Sequence, residues 1–181
     1  MDQVTGMISQ QLERSIVSKH NSSVKGKLFE QQLMDDVQHV FRIISDFSFQ
    51  DTSKISASGD FVTSQDGFSI MWEAKSYART VEAREVTKFL RDLILRRDVR
   101  VGVLVSSTSA VSDGKQVFHA IHTFEHEQKL VVLVPFYETF SSMSLAVVKL
   151  MINVWISKQS KSSLTESNHD QVVKRSQKLL D

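Results

Sequence analysis

The sequence predicts an α/β fold, a mixed sheet flanked by helices, on three observations. Long stretches repeat apolar residues at spacings of three and four, the helical period. Short runs of β-forming residues lie between them, giving the order α-β-β-β-α-β-β-β-α. An Asp66-Gly67 pair sits between two such runs and marks a tight hairpin, because both central positions of a type I′ turn need positive φ.

Each element has its own justification. Residues 1–22 read as a polar helical arm ending in the turn-like HNSS. Leu28, Phe29, Leu33, Val37, Val40, Phe41 and Ile44 form one stripe and predict a helix over 24–45. DFSFQ is a short strand, followed by the loop DTSKISASG. The hairpin strands are 60–65 and 68–75. Val86, Phe89, Leu90, Leu93 and Ile94 predict a second helix over 81–97. VRVGVLVSS and KLVVLVPF are runs of β-formers that suit buried strands. VFHAIHTFE, after the turn signal SDGK, fits a strand or a short helix, and the strand is preferred. A helix over 138–158 follows, carrying Phe140, Met143, Leu145, Val148, Met151 and Trp155, most simply a core helix, and its apolar breadth also allows a homodimer seam. Residues 159–181 read as a polar, mobile tail with helical character at its end, leaving 23–158 as one domain.

Composition excludes several classes of function. The chain has 181 residues, 41% of them hydrophobic, enough for one buried core. A net charge of +1 means that a nucleic-acid surface must be a local patch. There are no cysteines, so disulfides and thiolate zinc sites are excluded, which suits a reducing compartment. The N-terminus lacks an apolar signal core, and the apolar run Leu145 to Ile156 is short for a bilayer and carries Lys149. An intracellular protein, cytoplasmic or nuclear, with no membrane partner is expected.

The hairpin carries the chemistry. With Asp66 and Gly67 as the loop, Gln65 faces Phe68, Phe61 faces Trp72 and Asp60 faces Glu73. Opposed residues share a face, and Lys75, two beyond Glu73, shares it too. Facing carboxylates repel unless a cation lies between them. Oxygen ligands suit a hard ion such as Mg²⁺, which polarises a phosphoryl group and lowers the pKa of bound water. Lys75 can orient or activate that water, or neutralise charge developing on phosphorus. The alternate residues Phe68, Ile70, Trp72 and Ala74 are apolar, as a half-buried strand requires.

SGD at 58–60, a hairpin, and WEAK at 72–75 resemble the PD-(D/E)xK, or restriction-endonuclease-like, nuclease superfamily. The resemblance covers about residues 24–107 and implies a restriction-endonuclease-like αβββαβ core, here with an extra C-terminal hairpin and helix. It implies metal-ligand roles for Asp60 and Glu73 and a catalytic role for Lys75. A glutamate on the helix before the hairpin often completes such a site, which implies the same for Glu30 in KGKLFEQQL. Gly59 stands where the eponymous proline would be. The implied activity is Mg²⁺-dependent hydrolysis of DNA phosphodiesters, endonucleolytic by expectation, with Mn²⁺ as a substitute. The alternative is a non-catalytic nucleic-acid-binding or assembly protein on the same scaffold.

For DNA contacts, Arg84, Lys88 and Arg91 share a stripe of the second helix, Lys25 and Lys27 precede Glu30, and Tyr77 and Arg79 lie just past Lys75. A solvated face paired with Glu82, Glu85 and Asp92 explains the same helix charges equally well. His119, His122 and His126 have metal-ligand spacing on a helix, but on a strand His119 points away from the other two.

Overall fold

A computed structural model describes residues 22–42, 47–65 and 67–177, with side chains described through residue 159. Helix α1 is Ser22–Phe41, followed by β1 (Ser48–Asp51), β2 (Phe61–Gln65) and β3 (Phe68–Lys75). Helix α2 is Ala83–Leu95, and β4 is Val99–Ser106. Two short strands, β5 (Val111–Ser112) and β6 (Val117–Phe118), precede β7 (His122–His126), β8 (Lys129–Val134) and helix α3 (Tyr137–Gln177). By internal contacts the chain divides into a unit ending at Leu145 and one beginning at Ala146. The expected 1–22 arm lies outside the described residues save for Ser22, which opens α1.

The α/β reading holds. Six strands form one mixed sheet in the order β1-β2-β3-β4-β8-β7. The β3–β4 and β4–β8 pairs are parallel, and the outer pairs are antiparallel. Central parallel strands have no solvent face, and β4 and β8 are accordingly buried along nearly their whole length. The hairpin register is the expected one, Phe61 opposite Trp72 through Gln65 opposite Phe68. Gly67 has φ +78°, as a two-residue turn demands, while Asp66 lies outside the described residues. β7 and β8 form the expected hairpin, so VFHAIHTFE contributes strands and no helix.

The two helices of this unit take opposite faces of the sheet. Alternate residues of β3 decide which. Trp72 points to α1, where it meets Phe41 edge-on at 5.6 Å and stacks on Phe61 at 5.7 Å. Met71 points to α2, in a core with Phe89, Leu93, Leu104 and Val131. Glu73 and Lys75 follow Met71 on the α2 side. The C-terminal carbonyls of α2 are capped by Lys129, whose ammonium donates to Leu93 O at 2.8 Å and also to Arg96 O.

The last helix starts where expected but is kinked and runs further. It begins at Tyr137, breaks at Ser141 (φ 34°, ψ −112°), and its backbone stays helical through Gln177, where a tail was expected. Among the described residues one stretch, Tyr137–Gln159, is long and apolar enough to cross a membrane by length and composition, so the argument from the shorter run does not extend to it. Core helices meet the same criterion, and Leu145, Val148, Ile152 and Trp155, at spacings of three and four, are buried. Phe140 and Met143, expected on the core face of this helix, are instead exposed.

The buried Trp72 indole donates to Thr63 Oγ1 at 2.9 Å. Thr63→Val keeps the shape but orphans that donor. It is expected to lower unfolding free energy by about 1–3 kcal/mol in urea denaturation with an unchanged m value. A loss below about 0.3 kcal/mol would contradict this role for the threonine.

Candidate active site

Four acidic side chains, Asp60, Glu73, Glu85 and Glu30, interact with one another or with the ammonium of Lys75, and each owes its place to a local feature. Asp60 ends the loop after β1. The β1–β2 register continues past the strands, with Thr52 N–H donating to Asp60 O at 3.0 Å. The Thr52 hydroxyl holds the loop by donating to Ser58 O at 3.0 Å and Gly59 O at 3.2 Å. Thr52 has no motif to announce it, and the sequence reading missed it.

Against β3 the ladder slips. Direct pairing stops at Phe61–Trp72, and Asp60 N–H donates to Trp72 O at 2.9 Å. Asp60 and Glu73 are therefore not a cross-strand pair, which corrects the expected register at that one step. Gly59 permits the slip. Its φ is +68°, and a Cβ there would lie 2.6 Å from Trp72 O. Proline, fixed near φ −65°, cannot take this conformation, so Gly59 is required where the resembled motif has proline. The slip swings the Asp60 carboxylate over the edge of β3, where Oδ2 accepts the Ala74 N–H at 2.7 Å. Asp60 and Glu73 still line one cleft of about 410 Å³, with the loop Ser53–Gly59 on one side and Lys88 and Asp92 of α2 on the other.

Lys75 is nearly buried and doubly paired. Its Nζ lies 2.7 Å from Glu73 Oε1 and 3.2 Å from Glu85 Oε2. Burial alone would lower the lysine pKa, but these two carboxylates outweigh it and hold the ammonium above the ordinary lysine range. Lys75 is thus a fixed cation, unsuited to act as a base. Glu85 was seen in the sequence only as part of a solvated face. The signal was its spacing with Lys88 and Asp92, three and four residues apart on α2, which turns all three toward the hairpin.

The remaining acids are short of positive charge. Burial, then the Glu73 carboxylate, push the Asp60 carboxyl from 3.8 up to about 7, against the Ala74 hydrogen bond. Glu30, half-buried on α1, is raised by burial, then by Asp51 and Glu73, with Lys27 opposing. Glu30 therefore stands within electrostatic reach of both Glu73 and Asp60, on the helix where the resemblance places it. The donors are all carboxylate oxygens, the set that suits a hard divalent cation. Among the described residues no three His, Asp or Glu stand close enough together to hold a metal ion as they are.

The other sequence candidates fall into place as follows. Lys88 lines the cleft. Arg91 and Lys27 are exposed. Arg84 is exposed and paired with Glu82 at 3.1 Å and Glu85 at 3.7 Å, contacts weak enough for a phosphate to displace. Tyr77 lines a separate cavity beyond β3. His122 stacks on Phe118 and His119 on Phe136, and the histidines gather at no metal site among the described residues. Compared with models of protein families, with curated proteins and with solved structures, the chain matches none.

The Asp60 pKa has a consequence for stability. In the folded chain Asp60 keeps its proton to about pH 7, and an ordinary aspartate releases it near 3.8. Between these values the folded state binds more protons, so metal-free stability falls as pH rises from about 4 to about 7. Asp60→Asn is expected to flatten this slope and to exceed wild type at pH 8 in EDTA by a margin on the order of a few kcal/mol. Parallel thermal melts across pH check it, and an unchanged slope in the variant would contradict it.

Proposed function

We propose that this protein is a divalent-metal-dependent DNA nuclease of the PD-(D/E)xK kind, cutting phosphodiester bonds endonucleolytically in or near the Asp60–Glu73 cleft. The observation that carries the reading is charge imbalance. Asp60, Glu73 and Glu30 repel one another, and the Lys75 ammonium beside them is already shared between Glu73 and Glu85. A half-buried carboxyl kept protonated to about pH 7 suits a ligand that exchanges its proton for a cation.

Asp60 and Glu73, with Glu30, would hold Mg²⁺, or Mn²⁺ in its place. The bound ion would polarise a phosphoryl oxygen and acidify a water. The protein's own groups do the rest. Lys75, pinned by Glu85, keeps a positive charge aimed at the site and offsets negative charge building up on phosphorus. Lys88 on the cleft wall and Arg84 and Arg91 on the same helix hold the DNA backbone, which gives affinity without sequence specificity. Asp60 must lose its proton before it can bind metal, so proton and metal compete, and the apparent affinity for Mg²⁺ should weaken as pH falls below about 7.

The alternative, a non-catalytic nucleic-acid-binding protein on this scaffold, draws on one observation: no metal-ready group of three ligands exists among the described residues. Cleavage separates the two readings. With Mg²⁺ or Mn²⁺, wild type should nick plasmid DNA. Lys75→Ala and Asp60→Asn, both folded by circular dichroism, should be slower by about 100-fold or more. Wild type and variants that bind DNA equally and cut nothing would establish the alternative.

A further inference from the structure

We propose that a second cavity, at the carboxyl ends of β3 and β4, receives one unpaired base of the strand being cut, so that single-stranded or frayed DNA is preferred to intact duplex. The inference rests on the nuclease reading and names its substrate class.

Its position comes first. In open α/β sheets, ligands bind outside the carboxyl ends of parallel strands. Here Ser76 and Tyr77 leave β3, Ser107 and Thr108 leave β4, and between them lies a cavity of about 450 Å³. It begins one residue beyond Lys75, and its wall is tied to that lysine, because Ser107 N–H donates to Lys75 O at 2.9 Å. Helix α1 serves both places, with Glu30 facing the acids and Lys25 and Leu28 facing the cavity.

Its chemistry comes second. Leu28 is 52% exposed and Tyr77 40%, and both line this one cavity. A single exposed apolar side chain is ordinary. Two in a cavity that also holds hydroxyls match a nucleobase, which has apolar faces and polar edges. The Thr108 hydroxyl donates to Tyr77 O at 3.3 Å and fixes the backbone that carries the ring. Stacking on an aromatic ring accepts any base, which fits a site with no sequence-reading module. Lys25 supplies a cation for the attached phosphate, while the Glu138 carboxylate on the same lining accepts from base amino groups and repels phosphate. A base inside a duplex has both faces covered, so only an unpaired or extruded one can enter.

Fluorescence anisotropy tests this in EDTA, where no hydrolysis occurs, with a short labelled oligonucleotide as single strand and as blunt duplex. The single strand should bind about tenfold tighter. Tyr77→Ala should lower single-strand affinity about tenfold and leave duplex affinity unchanged, whereas Tyr77→Phe should bind like wild type. Lys25→Ala, an exposed change with little consequence for folding, should weaken single-strand binding and reduce its salt slope by about one. Equal affinity for both DNA forms, an equal loss on both in Tyr77→Ala, or an unaltered salt slope in Lys25→Ala would overturn the inference. The nuclease reading is judged separately. Mg²⁺-dependent cutting without strand preference retains the nuclease and rejects the base pocket. Tyr77-dependent single-strand binding with no cutting under any divalent cation supports the pocket and rejects the nuclease.

Discussion

A half-buried carboxyl group set beside other carboxylates is the constraint on which the site depends. Asp60 has little solvent to stabilise its charge, and Glu73 and Glu30 oppose it further. The nearest ammonium, Lys75, is committed to Glu73 and Glu85. A proton is the smallest cation that relieves this arrangement, and it is held to about pH 7. Nothing in folding requires such a cluster, since apolar side chains of similar size would fill the space at less cost. That imbalance is what the proposed cation would relieve.

The sheet supplies the rigidity this needs. β3 lies between two strands and divides its residues between two jobs. Trp72 anchors the α1 face, while Glu73 and Lys75 emerge on the α2 face beside Met71. Because side chains alternate along a strand, fixing Trp72 also fixes Glu73. Asp60 is held less by packing than by hydrogen bonds, through Thr52 on one side and the Trp72 and Ala74 backbone on the other. Gly59 permits that arrangement, and a side chain there would collide with the strand it must approach.

Local physics made much of this legible in the sequence. The hairpin register followed from one turn, because two loop residues determine every pair beyond them, and the structure agrees from Gln65 to Phe61. Strands β4 and β8 declared themselves through nearly continuous apolar, valine-rich runs, the mark of burial on both faces. The approach of Glu73 and Lys75 needed only the strand period. Nonlocal features were hidden. The slip at Asp60 depends on the φ of Gly59 and on Thr52 reaching back across a loop. Glu85 could have paired with Arg84 alone, and only the way α2 crosses the sheet brings it to Lys75. The extension of the last helix to Gln177 ran against a polar composition that carries no apolar stripe.

The central claim is that the Asp60 carboxyl is poised for a divalent cation, and its own titration tests this most directly. Carboxyl carbon chemical shifts, assigned with Asp60→Asn, report that pKa with and without Mg²⁺. The account predicts a midpoint near 7 in EDTA that drops back into the ordinary carboxylate range when Mg²⁺ is added. A midpoint near 3.8 without metal, or one that Mg²⁺ leaves in place, would contradict it.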